Sequence, residues 1–355
     1  MRSVGIDHAA LSRALALIQG RRTAAQICVL QNGQVILDRA FGCRPDDLFW
    51  IFSTSKPFAA LLVHLLAERG ALSLDDAVSS HWPEFARNGK DAITIRQVLQ
   101  HRSGLPVARS AVEDALVMTD WNRSVGNIEQ AHVRYLPGQV PAYHYLSYGF
   151  ILGELVRRIT GRPVQEVLAA ELFHPLGLHD IHLGLPGDLW YRHVNVRGQD
   201  PAGWITQAVI NRRHTRQAII PAAGISATAR DVARFYQALL QGGELDGVRI
   251  LKPETITEAT RPSSEHEVDR FVRLPIRWSQ GFQLGGPSPG CATSHTMGQL
   301  SGRETFGHNG SNTCLAWADP SRQLVMVYLT NLLSPGYTGA RHLSGVSDAI
   351  LSACG

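Results

Sequence analysis

Ser53-Thr54-Ser55-Lys56 leads into an apolar run, Phe58 to Ala67, that stops at Gly70. On a helix, positions three apart share a face, so the Ser53 hydroxyl and the Lys56 amine would stand side by side. A serine becomes a nucleophile when a base is at hand. A lysine buried by the helix behind it can lose its proton, whereas an arginine cannot. Lys56, Lys90 and Lys252 are the only lysines among 34 basic residues, so a lysine kept here points to a chemical need. The start of the helix adds partial positive charge suited to an oxyanion. Two other stretches carry candidate groups. Tyr145-Leu146-Ser147-Tyr148-Gly149 precedes an apolar helix, and Gly307-His308-Asn309-Gly310-Ser311 precedes a predicted strand. Taken singly, each also reads as ordinary structure: a capping serine with a solvated lysine, tyrosines covering a helix end, and a turn with an exposed histidine.

Together and in this order, the three stretches resemble the serine β-lactamase and penicillin-binding-protein superfamily, whose motifs include S-x-x-K and K-T-G. Ser53 and Lys56 match the first. Tyr145-Leu146-Ser147 is similar to the Y-x-N of the class C branch, and His308-Asn309-Gly310 to K-T-G in the H-x-G form of its esterases. The connecting segments agree: Ile93 through Pro106 with His101-Arg102-Ser103-Gly104, Pro137-Gly138, Phe173 through Leu178, and Gly224 through Asp231. The likeness spans roughly residues 25 to 335.

The resemblance implies an α/β (α+β) β-lactamase-like fold, an antiparallel sheet flanked by helices with a mostly helical insertion. It assigns Ser53 as the acylated nucleophile and Lys56 with Tyr145 as the proton-transfer pair, in which an ammonium beside a phenol would favour the phenolate. Tyr145 is preferred to Tyr143 and Tyr148 on its offset from Ser147 and Gly149. The oxyanion hole would be the backbone N–H groups of Ser53 and Ser311, and Ser147, His308, Asn309 and Gly310 would meet the substrate. The chemistry needs no metal or organic cofactor. Two departures bear on the substrate. Ser147 stands where the family has asparagine, which weakens amide recognition. His308 replaces a lysine, and a neutral imidazole attracts a carboxylate less than an ammonium does. Both fit neutral esters, and the overall likeness is strongest to family VIII carboxylesterases acting on short-chain or otherwise compact esters. Other readings keep the same nucleophile: an amidase or D-amino-acid peptidase, a weak β-lactamase, or an acyltransferase. A non-catalytic binding domain of the same fold is the reading of a different class.

These groups need elements to hold them, and the pattern supplies them. Strands are predicted at both chain ends: Ala25 to Leu30 and Gln34 to Phe41 around Asn32-Gly33, then Thr313 to Ala318 and Leu324 to Leu329 around Asp319-Pro320-Ser321-Arg322. Helices are predicted between them, including Ile93 to Gln100, Ser147 to Thr160, Val164 to Phe173 and Ala227 to Leu240, with a last one over Arg341 to Ala353. The expected organisation is an α/β domain from 1–70 plus 216–355 and a mostly helical domain over 71–215. Trp121, Trp190, Tyr191 and Trp204 of the helical segment are candidates for an acyl pocket and equally for ordinary packing. His174, His179 and His182 lack the carboxylate spacing of a metal site.

Composition narrows the classes. With 355 residues, 44% hydrophobic and 18% charged, the chain can bury a large core. A net charge of +4, evenly spread, argues against nucleic-acid or polybasic membrane binding. Five scattered cysteines, Cys28, Cys43, Cys291, Cys314 and Cys354, form no disulfide framework or zinc ribbon, and Cys28 and Cys314 read as buried hydrophobes. Asp7, His8 and Arg13 interrupt any signal-peptide pattern, so a cytoplasmic enzyme with a small-molecule ester substrate is expected, its oligomeric state left open.

Overall fold

Asp7 caps the first helix, α1 (His8–Gly20), its carboxylate accepting from the N–H groups of Ala9 and Ala10. The structure, a computed structural model, describes residues 6–286, 296–334 and 336–355; Arg2 and Cys291 lie outside the described residues. The Asn32-Gly33 turn joins β1 (Ala25–Gln31) to β2 (Gln34–Phe41) as an antiparallel hairpin. The C-terminal strands complete the sheet: β3 (Gln283–Leu284), β4 (Phe306–Gly310), β5 (Cys314–Asp319) and β6 (Leu324–Thr330). Their order is β2-β1-β6-β5-β4-β3, with every neighbour antiparallel. Both chain ends thus meet at the centre, where β1 pairs with β6.

Every residue of β6 is buried, because helices cover both faces of the sheet. On one face Ile27, Trp317, Met326 and Tyr328 pack with α1 and the last helix, α7 (Gly336–Ala353). On the other, Cys28, Val325, Val327 and Leu329 join the main core with α2 (Lys56–Glu68) and α6 (Ala229–Leu240). Cys28 and Cys314 are buried free thiols, the small hydrophobes expected of them. The segment between the strand groups is rich in helices, among them α3 (Ala111–Val117), α4 (Ser147–Thr160) and α5 (Pro201–Ile210). It also sends two strands outward. Ile181–Leu183 pairs with Ile225–Ala227, which pairs in turn with Phe49–Trp50, and Arg197–Gly198 pairs with Leu332–Leu333. These pairings cross the division drawn at residue 215. Among the described residues, no helix is long and apolar enough to cross a membrane.

The small sheet ends three residues before Ser53 and so sets the height of that serine over the core. Helix α4 fixes the other side. A Cβ on Gly149 would stand 2.1 Å from the Ala222 nitrogen and 2.7 Å from the Pro221 carbonyl carbon, so glycine alone lets α4 approach that backbone. Gly149→Ala is therefore expected to lose about 3 kcal/mol of stability, the upper part of the overpacking range. Gly126→Ala, in the helix Trp121–Gln130 with nothing within 4 Å of its Cβ, should gain up to about 1 kcal/mol. Urea denaturation of the two variants beside wild type measures both.

Candidate active site

The backbone reaches Ser53 through a strained step. Phe52 has φ +49°, and residues Phe52–Ser55 form a 3-10 turn that runs straight into α2. The helix is thus continued rather than capped: Ser55 makes no side-chain cap, and its hydroxyl instead accepts from the Ile225 N–H at 3.2 Å. Pro57 fits in the first turn, where its missing N–H costs nothing. Ser53 is left partly exposed at the surface of the turn, while Lys56, one turn on, is buried.

Lys56 Nζ lies 3.2 Å from Ser53 Oγ, 2.8 Å from the Tyr145 carbonyl oxygen and 3.2 Å from the Ala222 carbonyl oxygen. Burial holds its pKa well below the ordinary lysine value. A neutral amine has two N–H donors and one lone pair. Three oxygens surround the nitrogen, and in its neutral form the two carbonyls can take the N–H donors and leave the lone pair for Ser53.

Tyr143 supplies the hydroxyl on the other side. Its Oη donates to Ser53 Oγ at 2.7 Å, and its ring lies 4.7 Å from Lys56 Nζ. Tyr145 does not take the position expected of it. It reaches Lys56 through its backbone carbonyl, and its ring lines the cavities beside Ser53. The reason lies at the start of α4. Ser147 opens that helix, and its hydroxyl donates to the carbonyls of Leu105 at 2.8 Å and Pro106 at 3.3 Å, so it is buried and turned away from any substrate. A motif counted back from Ser147 falls on the helix entry, whereas the tyrosine that meets Ser53 sits in the preceding loop. Nor does the phenolate form fit. Burial pushes the Tyr143 hydroxyl up, which keeps it protonated.

Tyr143 is held by groups that the sequence pattern did not mark. Trp278 stacks on its ring at 5.3 Å and 12°, and His101 lies 4.9 Å away. Buried Asp269 accepts from the N–H groups of Tyr143, Phe271 and Val272 and from Trp278 Nε1. No local periodicity could reveal the part Asp269 plays, because its link to Tyr143 spans 126 residues. Tyr143 had one usable signal: a side chain that must reach across the core is unlikely to be one consumed in starting a buried helix.

Strand β4 closes the site. Thr54 Oγ1 donates to the His308 carbonyl at 3.3 Å. A Cβ on Gly310 would stand 2.3 Å from the Ile51 carbonyl oxygen, so this strand can lie against the nucleophile turn only as glycine. The following turn has Ser311 and Asn312 at φ +49° and +51°. Asn309 braces it, giving its amide N–H to Asn312 Oδ1 and accepting the Asn312 N–H. His308 lines the cavity with Ser53, Tyr143 and Trp278. Its Nδ1 donates to the Asn309 carbonyl at 2.8 Å, and burial takes its pKa down to about 3, so the imidazole is neutral. Trp121, Trp190, Tyr191 and Trp204 are not among the residues lining the two cavities that open at Ser53.

The Beta-lactamase family model matches residues 9–345 of this chain. An esterase/beta-lactamase of Mycobacterium tuberculosis, LipL, is 29% identical, with 94% of this chain and 85% of that protein covered. A crystal structure of a family VIII carboxylesterase superposes with a TM-score of 0.83 at 26% identity, covering 97% of this chain and 99% of that one. A penicillin-binding-protein homologue from Caulobacter crescentus gives 0.79 at 28% identity, over 98% and 99%. The expected fold, an antiparallel sheet flanked by helices, is the β-lactamase-like one.

Removing the hydroxyl that faces Ser53 separates the two tyrosines. Tyr143→Phe is expected to lower kcat on ethyl butyrate about 10³-fold, within the range of general acid–base catalysis. Tyr145→Phe, whose backbone carbonyl is kept, should stay within about fivefold of wild type, by the same measure. An inactive Tyr145→Phe beside an active Tyr143→Phe reverses the assignment.

Proposed function

This chain belongs to the β-lactamase family, a serine hydrolase superfamily, and on that premise we propose that it is a carboxylesterase working through an acyl-enzyme on Ser53. The observation that carries this reading is the contact of Ser53 Oγ with both Lys56 Nζ and the Tyr143 hydroxyl, in a site whose third motif offers a neutral histidine. Ser53 Oγ attacks the ester carbonyl, and its proton passes to the Lys56 lone pair. The carbonyl oxygen, now negative, is received by the N–H groups of Ser53 and Ser311. As the carbon–oxygen bond to the alcohol breaks, Tyr143 gives its proton to the leaving oxygen and recovers one from Lys56. The new ammonium forms beside the face of the Tyr143 ring, which favours a cation. Water then repeats the sequence on the acyl-enzyme and frees the acid.

The charge of the site supports an ester over a β-lactam or a peptide terminus. Those substrates present a carboxylate, and a neutral His308 with a neutral Lys56 offers it no fixed cation. The similarity to proteins titled as a carboxylesterase and an esterase/beta-lactamase agrees.

Hydrolysis of p-nitrophenyl butyrate beside nitrocefin, with wild type and Ser53→Ala, tests the proposal. Ester turnover well above nitrocefin turnover, both lost in the variant, is the expected result. Dominant nitrocefin turnover would replace the reading with a β-lactamase. An ester hydrolysis that survives in Ser53→Ala removes the acyl-enzyme.

The pH dependence tests the base. Lys56 must be neutral to act, and burial lowers its pKa, so kcat/KM should rise with pH through that lowered value and stay flat above it. The acid limb then lies far below 10.5, the ordinary lysine value. Lys56→Arg, charged at every working pH, is expected to lose about 10³-fold in kcat across the whole profile.

A further inference from the structure

Ser53 stands at the junction of two cavities of different chemistry. One, of about 450 Å³, has Tyr143, Phe271, Trp278 and His308 on its walls together with the aliphatic Leu274 and Ile276. The other, of about 620 Å³, has a stretch of apolar wall from α3, α5 and the residue just after α3, namely Val112, Leu116, Met118, Ile205 and Val209, with Arg212 also on its lining. Ser53, Tyr145, Ser311 and Gly336 border both, whereas Tyr143 borders the first and is absent from the lining of the second.

That asymmetry orients the substrate. The leaving alcohol must have its oxygen within reach of the Tyr143 hydroxyl, which places the alcohol in the aromatic cavity. The acyl group, on the opposite side of the carbonyl, is then directed into the aliphatic cleft. The exposure of the cleft walls says what fills it. Val112, Leu116 and Ile205 are 70%, 75% and 68% exposed, a concentration of large apolar side chains that no other described residues cover. At about 30 Å³ per methylene, roughly a water's share of liquid volume, half of the cleft houses a chain of about ten carbons.

Resting on the esterase reading above, we infer that the substrate class is esters of medium to long aliphatic acids, with the acyl chain in the α3–α5 cleft and a smaller alcohol on the aromatic side. This chain length exceeds the compact esters expected from the sequence. The cleft rewards each added methylene with more surface removed from water, by about threefold in kcat/KM, until the chain fills it.

Two isomeric esters separate the orientations: methyl decanoate and nonyl acetate hold the same atoms but carry the long chain on opposite sides of the carbonyl. Assayed below their micellar concentrations, methyl decanoate is expected to show at least tenfold higher kcat/KM. Along the p-nitrophenyl series from acetate upward, kcat/KM should climb to about ten carbons and level off. Val209→Trp, which fills the cleft, should lower the decanoate-to-acetate ratio at least tenfold. Leu116→Asn, at an exposed position that folding tolerates, should lower it about threefold or more. Equal or faster turnover of nonyl acetate, or a series that falls after butyrate, overturns the acyl-cleft assignment and leaves the esterase reading standing. If no ester is hydrolysed and a fluorophosphonate fails to label Ser53, both fall together.

Discussion

An amine taken out of water beside a hydroxyl is unstable as a cation, and the site is built around that fact. Lys56 is buried with its nitrogen between two backbone carbonyls and Ser53 Oγ. Burial disfavours the charge, and the two carbonyls hold the amine beside Ser53. The carbonyls come from segments far from Lys56 in sequence. Ala222 is brought close by the approach of α4 at Gly149, and Tyr145 by the turn into the same helix. The strained backbone at Phe52 and the bare Gly310 then let the nucleophile turn and β4 meet. A base that is neutral because it is dry can work only where packing is dense on every other side.

The same burial governs what the site can bind. Burial favours the neutral form of Lys56, leaves His308 neutral and keeps the proton on Tyr143. The groups around Ser53 thus favour uncharged forms, whereas Asp200 and Arg212 place ionisable side chains on the wall of the larger cleft. Two cavities of unequal size meet at one hydroxyl, so an ester could lie across Ser53 with its two halves sorted by size and shape. Under the proposed mechanism, proton transfer sets the sorting, because the side that holds Tyr143 would be the side from which the alcohol leaves.

Support for this geometry extends beyond the reacting groups. Asp269 gathers four N–H groups from two loops and so fixes the backbone of Tyr143 and the position of Trp278 behind its ring. A carboxylate so fully engaged makes a rigid hub, and a hydroxyl held 2.7 Å from its partner needs one. Asn309 plays the equivalent part at the turn after β4, with its amide spent on Asn312.

Short-range regularity made much of this molecule legible. The first hairpin, the last hairpin, α4 and the Ser53–Lys56 pair all follow from contacts within a few residues, where helical and strand periods decide which side chains are neighbours. The order of the motifs along the chain was enough to point to the fold. The tyrosine was a different matter. Tyr143 and Ser53 are 90 residues apart, and moving the motif by two residues exchanges a side chain at the nucleophile for one at the cavity wall. Ser147 read as a substrate contact because its type and spacing allow it, and the tertiary structure turned its hydroxyl into the carbonyls of Leu105 and Pro106. The cleft walls were hidden for the same reason: Val112 and Ile205 look like ordinary helix-surface residues until packing sets their helices beside Ser53. Residue type and local spacing determined which chemistry the chain can perform. Burial and the meeting of distant segments decided which atoms perform it, because pKa, orientation and cavity shape exist only once the chain is packed.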